Sequence, residues 1–420
     1  MVQKMRKMKD SGIEWIGEIP EGWEVVKAKY LFAQRNEKGN SSLVLLSPTQ
    51  KYGVIPQSQL EGVVQVKENT DLRVFKTIHI GDFVISLRSF QGGFEFSNYE
   101  GVCSPAYQVF HATKDLSNDF FRYLFKSDGF ISKINSLTVG IREGKNIQYW
   151  DFSNMLLTLP PKEVQIRSAQ YLSAKCTEID TMLSKTRSSI EEYKKLKQAV
   201  ITQAVTTLNC PNVKLKYLMD IIVDCPHETP IYTFTGNYLV IRTSDQSLAS
   251  LRCDEDMYRL DEAEYKKRTR RLTLDKDDIV YGREGSWGLA CLVPQSNKYC
   301  LGQRVMQFRC NTRLLYPKYA MYALNSETVY MQGALDTIGS TAPHVNISTI
   351  CNYLLPVPAL TEQKEIANYL DAKCAEIDKL ITKKEQLVKE LESYKKSLIY
   401  EVVTGKREIF TDITRKIPNI

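Results

Sequence analysis

Tyr171-Leu172-Ser173-Ala174-Lys175-Cys176-Thr177-Glu178-Ile179-Asp180 returns as Tyr369-Leu370-Asp371-Ala372-Lys373-Cys374-Ala375-Glu376-Ile377-Asp378, 198 positions later and without a gap. The match runs on to Thr206 and Thr404. Along it Lys185, Glu192, Lys197, Ile201 and Val205 meet Lys383, Glu390, Lys395, Ile399 and Val403. This makes 14 identities in 36 positions, where average residue usage gives roughly two. An internal repeat of this length sets the organisation of the whole chain.

From Lys162 to Cys210 there is neither Gly nor Pro, which favours one long helix. Apolar or small residues recur at alternating steps of three and four: Ala169, Leu172, Cys176, Ile179, Leu183, Thr186, Ile190, Tyr193, then Val200 and Ala204. The second copy carries Ala367, Leu370, Cys374, Ile377, Ile381, Val388, Leu391, Leu398 and Val402, with Lys384 and Lys395 as its polar positions. Each copy is a heptad seam, and a helix of this size is roughly 65 to 70 Å long. A lone apolar stripe of that length invites aggregation, so the two copies are expected to pack on each other. Chain order alone permits a parallel or an antiparallel pair. Lys197 and Lys395 fall at the same seam position, where a polar residue can fix register at some cost in stability. Cys176 and Cys374 are also equivalent, and small apolar packing is preferred there to a disulfide or a metal.

Outside the helices the pattern changes. Short β-branched or aromatic runs broken by Gly, Pro and Asn (Leu43 to Leu46, Val63 to Val66, Phe83 to Leu87, Tyr107 to Phe110, Met155 to Leu159) read as strands, and a helical spacing spans Asp119 to Leu137. The segment between the helices echoes this block. Val26-Lys27-Ala28-Lys29-Tyr30-Leu31 answers to Val213-Lys214-Leu215-Lys216-Tyr217-Leu218, and Gly81-Asp82-Phe83-Val84 to Asp277-Asp278-Ile279-Val280. Trp15 and Trp23 are expected to pack the N-terminal lead onto the body. The chain is read as α+β: a lead (1–22), a first mixed domain (23–160), a first long helix (161–210), a second mixed domain (211–357), a second long helix (358–405) and a tail (406–420).

The length of 420 residues calls for two or three domains, and apolar and charged contents of 43% and 25% are those of a soluble globular chain. A net charge of +7 is compatible with a polyanionic partner. The ten cysteines form no C-x-x-C pair and read as reduced thiols. With no secretory pattern at the start and no apolar run of membrane-spanning length, the expected location is cytoplasmic. The sequence holds no phosphate loop, no G-x-G-x-x-G after a strand and no Asn-Pro-Pro-Tyr-like motif, so no catalytic step and no bound cofactor are expected. His79, His111, His227 and His344 lack metal-ligand spacing, and Asp277-Asp278 reads as a solvated turn, so no metal site is expected either.

Ser11-Gly12-Ile13-Glu14-Trp15-Ile16-Gly17-Glu18-Ile19-Pro20-Glu21-Gly22-Trp23-Glu24 closely resembles the N-terminal signature of the specificity subunits of Type I restriction-modification systems. Gln363 to Gly405, with Ala375-Glu376-Ile377-Asp378 and Val403-Thr404-Gly405-Lys406, resembles their spacer helices. Gly101-Val102-Cys103-Ser104-Pro105-Ala106-Tyr107 and Asp278-Ile279-Val280 with Arg283-Glu284-Gly285-Ser286-Trp287-Gly288 resemble their target recognition domains. The first helix departs only at its end, with Thr206-Thr207-Leu208.

That resemblance implies two target recognition domains, each reading half of a split DNA target, and an antiparallel helix pair acting as a ruler in a pseudo-two-fold arrangement. It implies double-stranded DNA, two modification (methyltransferase) subunits and restriction/translocase subunits as partners. S-adenosylmethionine, ATP and Mg would be bound by those partners. Because the two domains diverge while the helices do not, the target is expected to be asymmetric. The competing reading is a coiled-coil adaptor whose heads bind protein; a self-contained DNA enzyme is disfavoured by the missing cofactor motifs.

Base reading needs Arg, Asn or Gln on loops that reach base edges. In the first domain the candidates are Thr49, Gln50 and Lys51, then Arg88, Ser89 and Gln91, with Arg142, Lys145 and Asn146; Gly92-Gly93 would allow close backbone approach. In the second they are Arg242 and Ser244, then Arg283, Ser286 and Trp287, with Gln303, Arg304 and His344. The run Lys266-Lys267-Arg268-Thr269-Arg270-Arg271 is expected to supply phosphate contacts through Lys266, Lys267, Arg268, Arg270 and Arg271.

Overall fold

The structure, a computed structural model, describes residues 6–39, 42–60, 71–137, 147–207, 209–285, 287–337 and 343–409. The chain divides into two compact units, Met1–Lys185 with Leu387–Ile420, and Thr186–Gln386. The two expected helices are present as Lys162–Thr206 and Leu360–Val403, 45 and 44 residues long. Each unit takes one half of each helix.

In the first unit Leu172, Ile179 and Leu183 of the first helix share a core with Leu398, Val402 and Val403 of the second. In the second unit Ile201 and Val205 share a core with Ala367, Leu370 and Cys374. The start of one helix therefore meets the end of the other, and within each unit the pair runs antiparallel. Cys176 and Cys374 are buried free thiols on this seam. Lys197 donates to both carboxylate oxygens of Asp378 at 2.9 and 2.8 Å, and Lys395 to both of Asp180 at 2.6 and 2.7 Å. The two polar seam positions are thus ion pairs with directional partners, which oppose any axial slip of the helices.

The helix starts are docked alike. Buried Gln165 accepts from Ser117 N at 2.9 Å and donates to Pro160 O at 2.8 Å. Gln363, its counterpart, accepts from Tyr316 N at 2.7 Å and donates to Pro358 O at 2.8 Å. Each glutamine satisfies backbone groups that the sharp turn into the helix would otherwise leave unpaired.

Both units carry a four-stranded antiparallel sheet of the same order. In the first it is Phe32–Arg35, Gln108–Ala112, Phe83–Ile85 and Glu95–Phe96. In the second it is Met219–Asp224, Val305–Cys310, Ile279–Gly282 and Ala290–Leu292. A flanking antiparallel pair also recurs, Glu24–Lys27 with Leu156–Leu159 and Asn212–Lys214 with Leu354–Pro356. The first sheet packs a phenylalanine core (Phe32, Phe83, Phe94, Phe110, Phe125, Phe152) against helices and the long-helix halves. The second packs Tyr281, Phe308, Tyr319, Tyr322 and Tyr353 in the corresponding place. The second unit adds a sheet of Arg259–Leu260, Tyr238–Ile241 and Tyr299–Leu301 with a parallel pair, which its counterpart lacks among the described residues.

Several local expectations shift. The helical spacing from Asp119 to Leu137 resolves into two helices, Asn118–Leu124 and Asp128–Ser136, broken where Lys126 and Ser127 turn the chain. The strand expected at Leu43 to Leu46 lies at Leu46–Thr49 and forms a hairpin with Gly53–Pro56, while Val63 to Val66 falls outside the described residues. Asp278 is not a solvated turn residue. It is buried before its strand and bound by Arg309 at 2.8 Å and by Gln307 at 2.6 Å. Asp82, its counterpart, is buried against Arg35 at 2.8 Å. The two sheets reach the same neutralised aspartate with arginines from different strands. Trp15 and Trp23 pack edge-on against Phe130 and Phe120, which fixes the lead to the first unit.

Candidate nucleic-acid interface

In each unit one loop with candidate readers leaves the same end of the four-stranded sheet, the one after Phe83–Ile85 with Arg88 and the one after Ile279–Gly282 with Arg283. In the second unit Met219–Asp224 and Ile279–Gly282 end beside the start of Val305–Cys310. Three backbone hydrogen bonds then bind the emerging loops: Arg283 N to Arg304 O at 2.8 Å, Gly285 N to Pro343 O at 3.0 Å and Val345 N to Arg283 O at 3.1 Å. Glu284 and His344 form a β-bridge. Four of the candidates (Arg283, Gln303, Arg304 and His344) thus come together on segments far apart in sequence.

Their side chains are not equivalent. Arg283 is buried, with its guanidinium between Asp224 at 3.3 Å and Glu284 at 2.7 Å. It can fork onto a base only by exchanging these carboxylates, so its present role is to hold the loop. Arg304 is exposed, sits in a left-handed backbone conformation at φ 70°, and has no ion pair among the described residues. Gln303 donates to Thr229 Oγ1 at 3.0 Å and His344 is exposed. Ser286 lies outside the described residues.

Trp287 turns away from this end. It is buried and stacked on Tyr330 with ring centres 4.3 Å apart and planes 4° from parallel, beside a cavity of about 430 Å³ that Lys195, Gln198 and Glu327 also line. Arg242 is bound in bidentate fashion to buried Asp245 at 2.9 and 2.8 Å, and its guanidinium lies 3.9 Å from the centre of the Tyr258 ring. Ser244 is exposed next to it.

The basic run splits in two. Lys266 and Lys267 are exposed and paired with Glu262 and Glu228, both at 2.7 Å, and Arg270 and Arg271 are exposed with no ion pair among the described residues. Arg268 faces inward instead. It is 7% exposed and donates to the carbonyls of Leu301, Gly302, Glu228 and Pro226. It is a clamp on the neighbouring loops and not a phosphate contact.

In the first unit the hairpin tip and the loop after Phe83–Ile85 are joined, since Gln50 Nε2 donates to Arg88 O at 3.3 Å. Gln50, Lys51, Arg88 and Gln91 are exposed there. Thr49 and Ser89 are used internally: Thr49 Oγ1 donates to Gly53 O at 3.0 Å, and buried Ser89 Oγ accepts from Ser86 N at 2.8 Å. Gly93, at φ 75°, leaves no space for a Cβ, which would stand 1.9 Å from Phe125 O; the glycine is needed by the fold itself. Arg142, Lys145 and Asn146 lie outside the described residues.

Beneath the hairpin a cavity of about 370 Å³ is lined by Gln50, Lys51, Glu95, Arg122, Lys126 and Lys395. Glu95 is buried there with Lys126 at 2.7 Å, and burial pushes its carboxyl up to about 7. Asp224, Thr229 and Asp245 are missing from the sequence-based candidates; Asp224 closes its strand and Asp245 directly precedes one, while Thr229 lies in the loop between strands. Among the described residues no group of His, Cys, Asp and Glu could hold a metal ion, and no helix is long and apolar enough to cross a membrane.

Residues 224–390 match the family described as Type I restriction modification DNA specificity domain. The chain is 22% identical to the Type I restriction enzyme MjaVIII specificity subunit of Methanocaldococcus jannaschii, covering 92% of this chain and 93% of that one. It is 27% identical to the EcoBI specificity subunit of Escherichia coli over 34% of this chain and 29% of the relative. In fold it is similar to a solved chain from work on complex assembly and conformational transition of the type I R-M system, with a TM-score of 0.69, 17% identity and coverage of 93% and 99%. The HsdS subunit from Thermoanaerobacter tengcongensis gives a TM-score of 0.52, 16% identity and coverage of 93% and 98%.

Proposed function

Because this chain belongs to the DNA specificity subunits of Type I restriction-modification systems, we propose that it reads a bipartite, asymmetric DNA target with one sheet end per unit. The carrying observation is that two units of one topology present different side chains at the same place. The first offers Gln50, Lys51, Arg88 and Gln91, and the second Gln303, Arg304 and His344. Identical ends would imply a palindrome; different ends imply two unlike half-sites. The exposed Lys266, Lys267, Arg270 and Arg271 supply phosphate contacts that set position without reading sequence.

The antiparallel helix halves, held in register by two ion pairs, set the spacing between the half-sites. Their exposed faces dock two modification subunits, which bind S-adenosylmethionine and methylate adenine, and restriction/translocase subunits with ATP and Mg join that core. This chain performs no catalytic step of its own and works in the cytoplasm. Mapping of adenine methylation in cells carrying the chain and its methyltransferase tests the reading by returning both half-sites and their spacing. Labelled duplex bound with a steep loss of affinity as salt rises agrees with it. Absence of binding even with the modification subunit present overturns it in favour of a protein-binding adaptor.

A further inference from the structure

We propose that Ile231 and Phe234 form an apolar wedge that enters the base stack of duplex DNA at the border of the half-site read by the second unit. The inference rests on the DNA-reading function above. Phe234 is 102% exposed and Ile231 71%, whereas every other phenylalanine whose side chain is described is buried or half-buried. Scattered exposed apolar residues need no explanation, but two within four residues on a loop built to present them do.

That loop, residues 226–236, is held at every turn. Arg268 donates to Glu228 O at 3.0 Å and to Pro226 O at 3.4 Å, and Lys267 pairs with Glu228 at 2.7 Å. Thr233 N donates to Arg259 O at 2.9 Å, and Arg259 returns a bond to Gly236 O at 3.3 Å. Tyr232 lies on Tyr258, ring centres 4.6 Å apart, with Arg242 on that ring. A Cβ on Gly236 would stand 1.9 Å from Leu260 O, so the chain closes tightly onto its sheet at that point. The protruding side chains are therefore displayed on a frame already ordered, and little conformational entropy remains to be lost on binding.

Two observations identify the occupant as nucleic acid. The loop is continuous with the reading end, since Gln303, one residue before Arg304, donates to Thr229. Exposed cations sit on the segments that hold it: Lys267 pairs with Glu228 of the loop, Arg304 follows Gln303, and Lys266, Arg270 and Arg271 lie within three residues of the clamping Arg268, which suits a polyanion better than an apolar protein face. Apolar wedges of Phe, Leu and Ile act in this way elsewhere, partly unstacking a base step and kinking the duplex.

The test uses the chain assembled with its modification subunits and its mapped target, in which 2-aminopurine replaces successive bases across and beside each half-site. Unstacking raises the fluorescence of this base. One step bordering a single half-site should brighten on binding, and a flexible pyrimidine–purine step there should bind better than a stiff one. Phe234→Ala should abolish the brightening and weaken binding roughly tenfold, the scale of one base–aromatic stack, with the half-site sequence unchanged. Phe234→Trp should restore both. Brightening that survives in Phe234→Ala, or target binding with no brightened step, overturns the wedge while leaving the DNA-reading function intact. Absence of DNA binding by the unaltered complex overturns both. Because Phe234 touches solvent only, its replacement is not expected to disturb folding, and an unchanged Tm confirms that the variants report on binding.

Discussion

Lys197 grips both carboxylate oxygens of Asp378, and Lys395 grips both of Asp180; a shift of 198 positions converts one pair into the other. The same two residues of the repeat are used twice, once with the lysine on the first helix and once with it on the second. Only an antiparallel pairing can satisfy this reciprocity. The Lys197 pair is the more enclosed, with side-chain exposures of 8% and 49% against 28% and 56%.

Lys197→Ala should cost about 1–2 kcal/mol, between the fraction of a kcal/mol typical of exposed pairs and the several of buried ones. Lys395→Ala should cost less than about 1 kcal/mol. The exchange Lys197→Asp with Asp378→Lys should recover part of the loss. Denaturant unfolding of the single and double variants measures all three; equal losses at both lysines would remove the distinction drawn from burial.

Arg304→Ala should weaken recognition of one half-site by about 1–3 kcal/mol, the range of a lost bidentate or phosphate-anchored contact, and leave Tm unchanged. Arg283→Ala should damage the same half-site and also lower Tm, because it removes the guanidinium that Asp224 and Glu284 share. Competition binding with each half-site scrambled in turn, beside thermal unfolding, separates the two. Loss at both half-sites from either variant would contradict the assignment of one sheet end to one half-site.

One heptad inserted into either long helix adds roughly 10 Å of length, about three base pairs of duplex. The preferred spacing between half-sites should change, or binding should fail if the seam cannot re-form. Methylation mapping reads the outcome directly, and an unchanged spacing would rule out the helices as the ruler.

Glu95 gives the first unit a pH dependence. Burial raises its carboxyl from 4.5 to about 7 against the opposing pull of Lys126, whose amine the same burial lowers. A carboxyl whose pKa rises on folding holds its proton more tightly in the folded state, so its contribution to stability is present at low pH and fades as pH climbs from about 4.5 to about 7. Glu95→Gln should flatten that slope. Thermal unfolding between pH 5 and 8 should show the unaltered chain losing ground to the variant as pH rises; parallel curves would refute the assignment.

Much of the framework is legible in the sequence because long helices announce themselves: no Gly or Pro, and a seam repeated at a fixed offset. The sheets are less so. Their strands are two to six residues long, too short for alternation to separate them from turns, and the echo of Asp82 in Asp278 conceals that both are buried. The basic run misleads for a different reason. Read as composition, Arg268 is one cation among five; read at helical period, it shares a face with Glu264 and Tyr265, both buried, while Lys266 and Lys267 point out. Trp287 and Arg283 sit on the expected loop, but their neighbours Tyr330 and Asp224 come from distant parts of the chain, and no local pattern marks those contacts. Phe234 carries no local signal at all, since only its burial distinguishes it from the phenylalanines of the core.

The 198-residue offset of the repeat also defines what could be removed from the chain. Excision of one full period, joining Lys185 to Lys384, would leave a single reader followed by one helix of nearly the original length that retains both Asp180 and Lys395. Such a half-length chain contains a donor and an acceptor but has no second helix on which to use them. Two copies laid head to tail would supply each other, aspartate to lysine and lysine to aspartate, so a chain shortened by one period is expected to pair with a second copy of itself.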